Sequence, residues 1–108
     1  MLKSVKECLG YTLLATDGEI GEVSDFLLDD ELKLRYLVID TGRWLSGKTV
    51  MLSTAWISSV DPQKQTVVMN IDKKRIEEGP DYSNEHEFDR EYEARLHNHY
   101  RYPPYWLV

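Results

Sequence analysis

Disulfide chemistry is excluded first, because the 108-residue chain has a single cysteine, Cys8. One thiol cannot close an intramolecular bridge, so no oxidising compartment is implied. No histidine or basic cluster lies beside it in sequence to activate a thiolate, and a small buried hydrophobe is the expectation. Positive charge is also scarce: 13 Lys and Arg face 19 Asp and Glu, for a net charge of −6. That sign argues against non-specific binding to nucleic acid or to an anionic membrane. The basic run Lys73-Lys74-Arg75 is followed at once by Glu77 and Glu78. No apolar run reaches the ~20 residues needed to cross a bilayer, and Met1–Glu7 lacks the apolar core of a signal peptide. A cytoplasmic protein without direct membrane insertion is therefore expected. A hydrophobic fraction of 42% and a charged fraction of 30% are those of an ordinary globular protein. The length fits one domain that buries roughly two-thirds of its unfolded surface.

With only six glycines and four prolines, each one marks a position. Asp17-Gly18, flanked by Leu13, Leu14, Ile20 and Val23, predicts a hairpin with a type I′ turn. Gly21 falls inside the following strand, where it predicts a bulge, a bend or a close approach of another backbone. Strands are expected at Tyr11–Thr16, Glu19–Leu28, Arg35–Asp40, Thr49–Ser53, Trp56–Val60 and Thr66–Asn70. Arg35–Asp40 is a nearly continuous apolar run, as in a strand covered on both faces. Asp29-Asp30-Glu31 and Asp61-Pro62-Gln63-Lys64 read as turns, and residues 41–48 as a loop. After residue 70 the periodicity changes. Asp72 predicts the N-cap of a short helix through Glu78, closed by Gly79 and Pro80. Ser83 or Asn84 is expected to cap a second helix from about Glu85 to Tyr100. In it Phe88, Tyr92, Leu96 and Tyr100 recur every four residues, a narrow stripe suited to packing on a barrel or a second subunit.

These residues in this order resemble the PRC-barrel domain family, named after the cytoplasmic domain of the photosynthetic reaction centre H subunit. The resemblance is carried by Leu9-Gly10-Tyr11, by Asp17 through Phe26 across the first hairpin, and by Arg35-Tyr36-Leu37-Val38-Ile39-Asp40-Thr41-Gly42. Val50-Met51-Leu52-Ser53 and the segment from Glu91 to Trp106 extend it over almost the whole chain. It implies a mainly β fold: a small six-stranded barrel followed by two C-terminal helices and an aromatic tail. Residues 1–80 would form the barrel domain, and 81–108 a helix and tail packed on the barrel or on a second subunit. In that family the domain is used for protein contacts, among them those of the H subunit with its membrane partners. A fold does not by itself name a function.

Nothing along the chain converges on catalysis. His97 and His99 are two apart, so a helix points them roughly 200° from each other and they cannot share a metal. His86 lies eleven residues before His97, too far to co-ligate, and surface or helix-end histidines are expected. Asp25, Asp29, Asp30 and Glu31 lack the alternation of a calcium loop and read as a solvated turn. Glu91 and Arg95 are spaced for an i,i+4 pair. Gly42 through Thr49 meets the spacing Gly-x-x-x-x-Gly-Lys-Thr of a phosphate-binding loop. Such a loop needs a long helix directly behind it, and Val50-Met51-Leu52 reads as a strand instead.

The aromatic residues are the better lead. Pro103 and Pro104 stiffen a tail carrying Tyr102, Tyr105 and Trp106, and rings of this kind serve either as caps on a core or as anchors in interfaces. The expected interaction surface comprises Trp44, Tyr92, Leu96, Tyr100, Tyr102, Tyr105 and Trp106. Arg43 and Lys48 form a possible ligand loop. The function expected is a non-catalytic interaction or regulatory adaptor module, self-associating as a homodimer and meeting a further protein partner, without cofactor or metal. A small-ligand-binding barrel is the alternative, and a nucleotide-dependent enzyme using Lys48 and Thr49 a distant second.

Overall fold

The computed structural model describes residues 4–82 and 89–107. Six strands follow one another: β1 (Thr12–Ala15), β2 (Gly18–Leu28), β3 (Leu34–Asp40), β4 (Thr49–Ser53), β5 (Ile57–Asp61) and β6 (Thr66–Met69). Two helices complete the chain, α1 (Lys73–Glu78) and α2 (Arg90–Tyr100). The strands form one sheet in the order β4-β3-β2-β1-β6-β5, mainly β as expected and left open between β4 and β5. All neighbours are antiparallel except β1 and β6.

Strand β2 is the hinge of this sheet. Its first half pairs with β1 and its second half with β3, and register shifts let it turn from one to the other. The first shift sets Leu13 opposite Gly21 and Leu14 opposite Glu19, which leaves Ile20 as the extra residue of a bulge. Gly21 has φ 152°, and a Cβ there would stand 2.1 Å from the backbone oxygen of Asp40. Bulge and close approach thus fall at adjacent residues, Ile20 and Gly21. The turn before it departs from expectation. Neither Thr16 nor Asp17 takes a positive φ, so it is not type I′; Gly18 alone is distorted, at φ 145°. The Asp17 carboxylate instead accepts the Lys73 N–H at 2.9 Å, tying the turn to the start of α1.

The apolar run in β3 behaves as a strand covered on both faces. Tyr36, Leu37, Val38 and Ile39 are all buried, although alternate side chains point to opposite sides. Val50, Met51 and Leu52 of β4 are buried in the same way. Between β4 and β5 the chain makes a 3-10 turn at Thr54–Trp56, where the Ser53 hydroxyl accepts the Ala55 N–H. Trp56, expected to open a strand, is therefore a buried turn residue. A second 3-10 turn, Val5–Cys8, precedes β1. Cys8 itself is half-buried against the core.

Asp72 caps α1 as expected, accepting the Arg75 N–H at 2.8 Å. Helix α2 starts later than its periodicity suggests. Asp89 is extended and its carboxylate accepts the Tyr92 N–H at 2.9 Å, which makes it the cap and Arg90 the first helical residue. The proposed caps Ser83 and Asn84, with His86 and Phe88, lie outside the described residues. No helix among the described residues is long and apolar enough to cross a membrane.

The collision at Gly21 has a measurable consequence. Gly21→Ala should lower the unfolding free energy in urea by about 3 kcal/mol or more, because main chain must move to admit the methyl group. Gly42→Ala, also at positive φ (59°) but with nothing near the added methyl, should cost only about 1 kcal/mol. Equal losses at the two positions would mean that dihedral strain, and not the contact with Asp40, sets the requirement.

Candidate interaction site around the docked tail

The described members of the α2 stripe, Tyr92, Leu96 and Tyr100, point inward. Leu96 and Tyr100 are fully buried, and half-buried Tyr92 donates its hydroxyl to the Pro80 carbonyl at 3.2 Å. Leu96 and Tyr100 are thus spent on the chain's own core and offer no surface to another molecule. One position further round the helix, Glu93 and His97 form a second buried row, 7% and 4% exposed. A surface or helix-end histidine was expected; His97 does lie in the last turn of α2, but it is buried and not at the surface. The helix face in contact with the sheet is wider than the apolar stripe, so it takes in the next i,i+4 pair. His99 lies on the other side of the helix, with Nε2 2.7 Å from the Arg75 carbonyl. In place of the expected Glu91–Arg95 pair, Arg90 Nε approaches Glu93 Oε2 at 3.8 Å and Arg95 stands 5.6 Å from the Tyr92 ring.

Buried polar groups need partners, and Tyr36 of β3 serves both residues of the second row. Its hydroxyl lies 2.9 Å from Glu93 Oε1 and 2.9 Å from His97 Nε2. A hydroxyl has one proton to give. With that proton donated to Glu93, the proton shared with His97 must sit on Nε2 and point at the Tyr36 oxygen. Burial, reinforced by the bond to Glu93, raises the Tyr36 pKa. Burial lowers that of His97, against the opposing pull of the Tyr102 backbone and the Glu93 charge. His97 Nδ1 is buried and makes no well-formed hydrogen bond.

The tail closes over this cluster. Arg101 takes a left-handed conformation (φ 59°) that ends α2, and the Tyr102 N–H returns to the His97 carbonyl at 3.2 Å. Tyr102 then stacks on Trp56 with centroids 5.5 Å apart, while Trp56 meets His97 at 5.4 Å and Tyr100 at 4.7 Å. Beyond Pro103-Pro104, Trp106 is set edge-on to His97 at 5.8 Å and Tyr105 to Tyr36 at 6.3 Å. Two guanidiniums cover the outside: Arg90 lies 3.8 Å from the Trp106 centroid and Arg35 4.2 Å from that of Tyr105. Such contacts contribute about 0.5–1 kcal/mol each where water reaches them.

Between the tail and the β2–β3 loop lies an open cleft of about 730 Å³. Tyr105, Trp106 and Arg35 line it opposite Leu27, Leu28 and Asp29. Asp29 is the organising residue of the loop, and not simply solvated as expected of its acid group. One carboxylate oxygen accepts the N–H groups of Glu31 and Lys33 at 2.8 and 3.0 Å, and the other meets Arg35 Nε at 2.7 Å. The Arg35 bond first, then the bond from Lys33, holds the Asp29 carboxyl below the usual carboxylate range. The loop so fixed presents Leu28 and Leu32, 55% and 78% exposed, and Leu32 is held at φ 63°. Leu107, next to Trp106 in the chain, is 72% exposed.

The remaining candidates lie elsewhere. Trp44 packs under the Lys73 ammonium, 5.0 Å from its ring, and with Arg43, Glu19, Glu22 and Asp40 lines a separate cleft of about 470 Å³. Lys48 is occupied: Nζ meets Asp81 at 2.5 Å and the Glu77 and Gly79 carbonyls at 3.3 and 3.5 Å. Thr49 begins β4 and its carbonyl accepts the Tyr82 N–H at 3.0 Å, so no helix follows the glycine-lysine pair to cradle phosphate. Among the described residues no group of three or more His, Cys, Asp or Glu is placed to hold a metal ion.

A bent, open six-stranded sheet with β1 and β6 parallel, with Ile76 of a short helix buried in its core and a C-terminal helix over it, defines a small barrel-type β domain. The family is the PRC-barrel domain: its model matches residues 3–76, and the chain belongs to it. A comparison with curated proteins returns no match. The match ends within α1, so α2 and the tail that build the aromatic cleft lie beyond it.

Tyr36→Phe should keep the ring packing but strip Glu93 and His97 of their shared partner. Leaving buried polar groups unsatisfied costs about 1–3 kcal/mol. Urea unfolding at neutral pH should show that loss, and a variant as stable as the wild type would mean that water replaces the hydroxyl.

Proposed function

We propose that this PRC-barrel protein is a non-catalytic interaction module, self-associating and acting as an adaptor or regulator of another protein in the cytoplasm. The observation that carries this is Leu32, an exposed leucine held in a left-handed conformation between Glu31 and Lys33, two residues that line the aromatic cleft. A non-glycine residue pays for φ > 0, and such strain persists where the surrounding structure imposes it. Here the Asp29 carboxylate imposes it by gathering the loop's N–H groups, and the outcome is an apolar side chain presented to solvent. Leu28 and Leu107 are exposed too, and the cleft between loop and tail is walled by Tyr, Trp and Arg, the residues that anchor protein interfaces. The ligand-loop alternative is disfavoured by the engagement of Lys48 with Asp81.

Leu32→Gly separates interface from fold, because glycine accepts φ 63° freely. The variant should unfold at the same or a higher temperature, with a gain of up to about 1 kcal/mol. Sedimentation equilibrium over a wide concentration range should show its self-association weakened tenfold or more, equivalent to about 1.4 kcal/mol. A wild-type chain that stays monomeric at the highest concentration, or a variant that associates as tightly as the wild type, would remove Leu32 from any self-contact.

A further inference from the structure

Among the described residues, His97 is the buried histidine, and with Tyr36 and Glu93 it lies directly beneath a segment held mainly by half-exposed contacts. We propose that residues 102–107 form a proton-released latch, in which protonation of His97 undocks the tail while the six-stranded sheet stays folded. The geometry sets up this response. In the neutral ring Nε2–H points at Tyr36, whose own proton goes to Glu93, and the Nδ1 lone pair is buried without a partner. A second proton must go to Nδ1, placing a full charge in a site walled by the rings of Trp56 and Trp106.

Every charged or titratable group facing the ring enters the balance. Glu93, on the same helix, favours the charged ring from one hydroxyl away, and so does the Tyr102 backbone of the tail. Arg90 opposes it, since its guanidinium both approaches Glu93 and covers Trp106. Tyr36 of β3 and Tyr105 of the tail stay neutral, their pKa values raised chiefly by burial. Desolvation outweighs the favourable pair and lowers the His97 pKa. The sign follows: a base whose folded pKa is depressed contributes stability above its ordinary value of about 6.5, and that contribution is lost as pH falls below it.

The tail yields before the sheet because of where the load falls. Its attachments are one stacked ring on Trp56, edge contacts on His97 and Tyr36, three arginine–ring contacts and one backbone hydrogen bond to the His97 carbonyl. The sheet's own core includes Leu13, Ile20, Ile39, Met51, Leu52 and Met69, all fully buried. Weakly buried elements open locally at a lower free energy than the whole fold. Arg101, already left-handed, is the point about which the segment would swing.

The latch concerns the isolated chain and stands whether or not the cleft binds a partner. Indole N–H resonances of Trp44, Trp56 and Trp106 and the His97 imidazole signals, followed in the full chain from pH 8 to pH 5, test it. Trp56 and Trp106 should titrate together with the His97 ring, at a midpoint below about 6.5, while Trp44 at the far cleft stays unmoved. His97→Gln keeps an N–H for Tyr36 but cannot gain charge, and should flatten both transitions. If that variant does not fold, coincidence of the His97 and Trp106 midpoints in the wild type carries the test. All three indoles moving together would reveal global acid unfolding and overturn the latch. So would Trp106 staying docked through the titration of His97, or moving unchanged in a folded His97→Gln.

Discussion

The middle of strand β3 has no solvent face. Four consecutive residues, Tyr36 to Ile39, are buried, and alternation sends two of them to each side of the sheet. One sheet cannot satisfy such a strand, so the chain must supply a second layer. Tyr36 shows where that layer comes from: α2 and the tail settle over it, bringing Leu96, His97 and Tyr100 into one core with Trp56. The C-terminal segment is therefore part of the fold's hydrophobic bookkeeping as well as its outer surface. The closeness of β2 and β3 at Gly21 and Asp40 is the other half of the same constraint, since the sheet must bend sharply to enclose the first face of β3.

Much of this was legible in the amino-acid order. Period-2 segments separated by Gly, Asp and Pro located all six strands to within a residue or two, because turn chemistry and strand pattern are both local. Gly21 announced its bulge for the same reason. What could not be read was set by tertiary contact. The Asp17-Gly18 pair has the letters of a type I′ turn, but the Asp17 carboxylate is drawn to the Lys73 N–H, far along the chain. Trp56 reads as a strand residue until Ser53 caps a 3-10 turn beneath it. The α2 boundary moved because Asp89 caps as well as Ser or Asn does, and only geometry decides among several capable residues.

The site was legible by composition and not by arrangement. Tyr102, Tyr105 and Trp106 stood out as rings on a proline-stiffened tail, and the structure brings them together over one end of the sheet. Trp44, of the same composition, is in a different cleft under Lys73. Glu93 and His97 gave no signal, because a charged residue and a histidine on a short polar helix look like its solvated face. A spacing of four between two ionisable residues, each one position after an apolar stripe residue, was the available hint. It gains meaning only once Tyr36 is known to sit opposite.

Position within the fold explains why the polar cluster and the aromatic cleft occur together. The cover over β3 is assembled from a helix face carrying only a narrow apolar stripe, so it brings Glu93 and His97 into the interior along with Leu96. Their desolvation is offset in part by the Tyr36 hydroxyl, which meets one atom of each and leaves Nδ1 without a well-formed hydrogen bond. A tail of rings then completes the seal, and a seal made of large rings cannot be wholly internal. Trp106 and Tyr105 turn one side to His97 and Tyr36 and the other to arginines and solvent. The surface that Tyr, Trp and Arg present beside Leu32 is thus the outer side of the layer that β3 requires. A molecule docked there would meet Tyr105 and Trp106, the same rings that cover Tyr36 and His97.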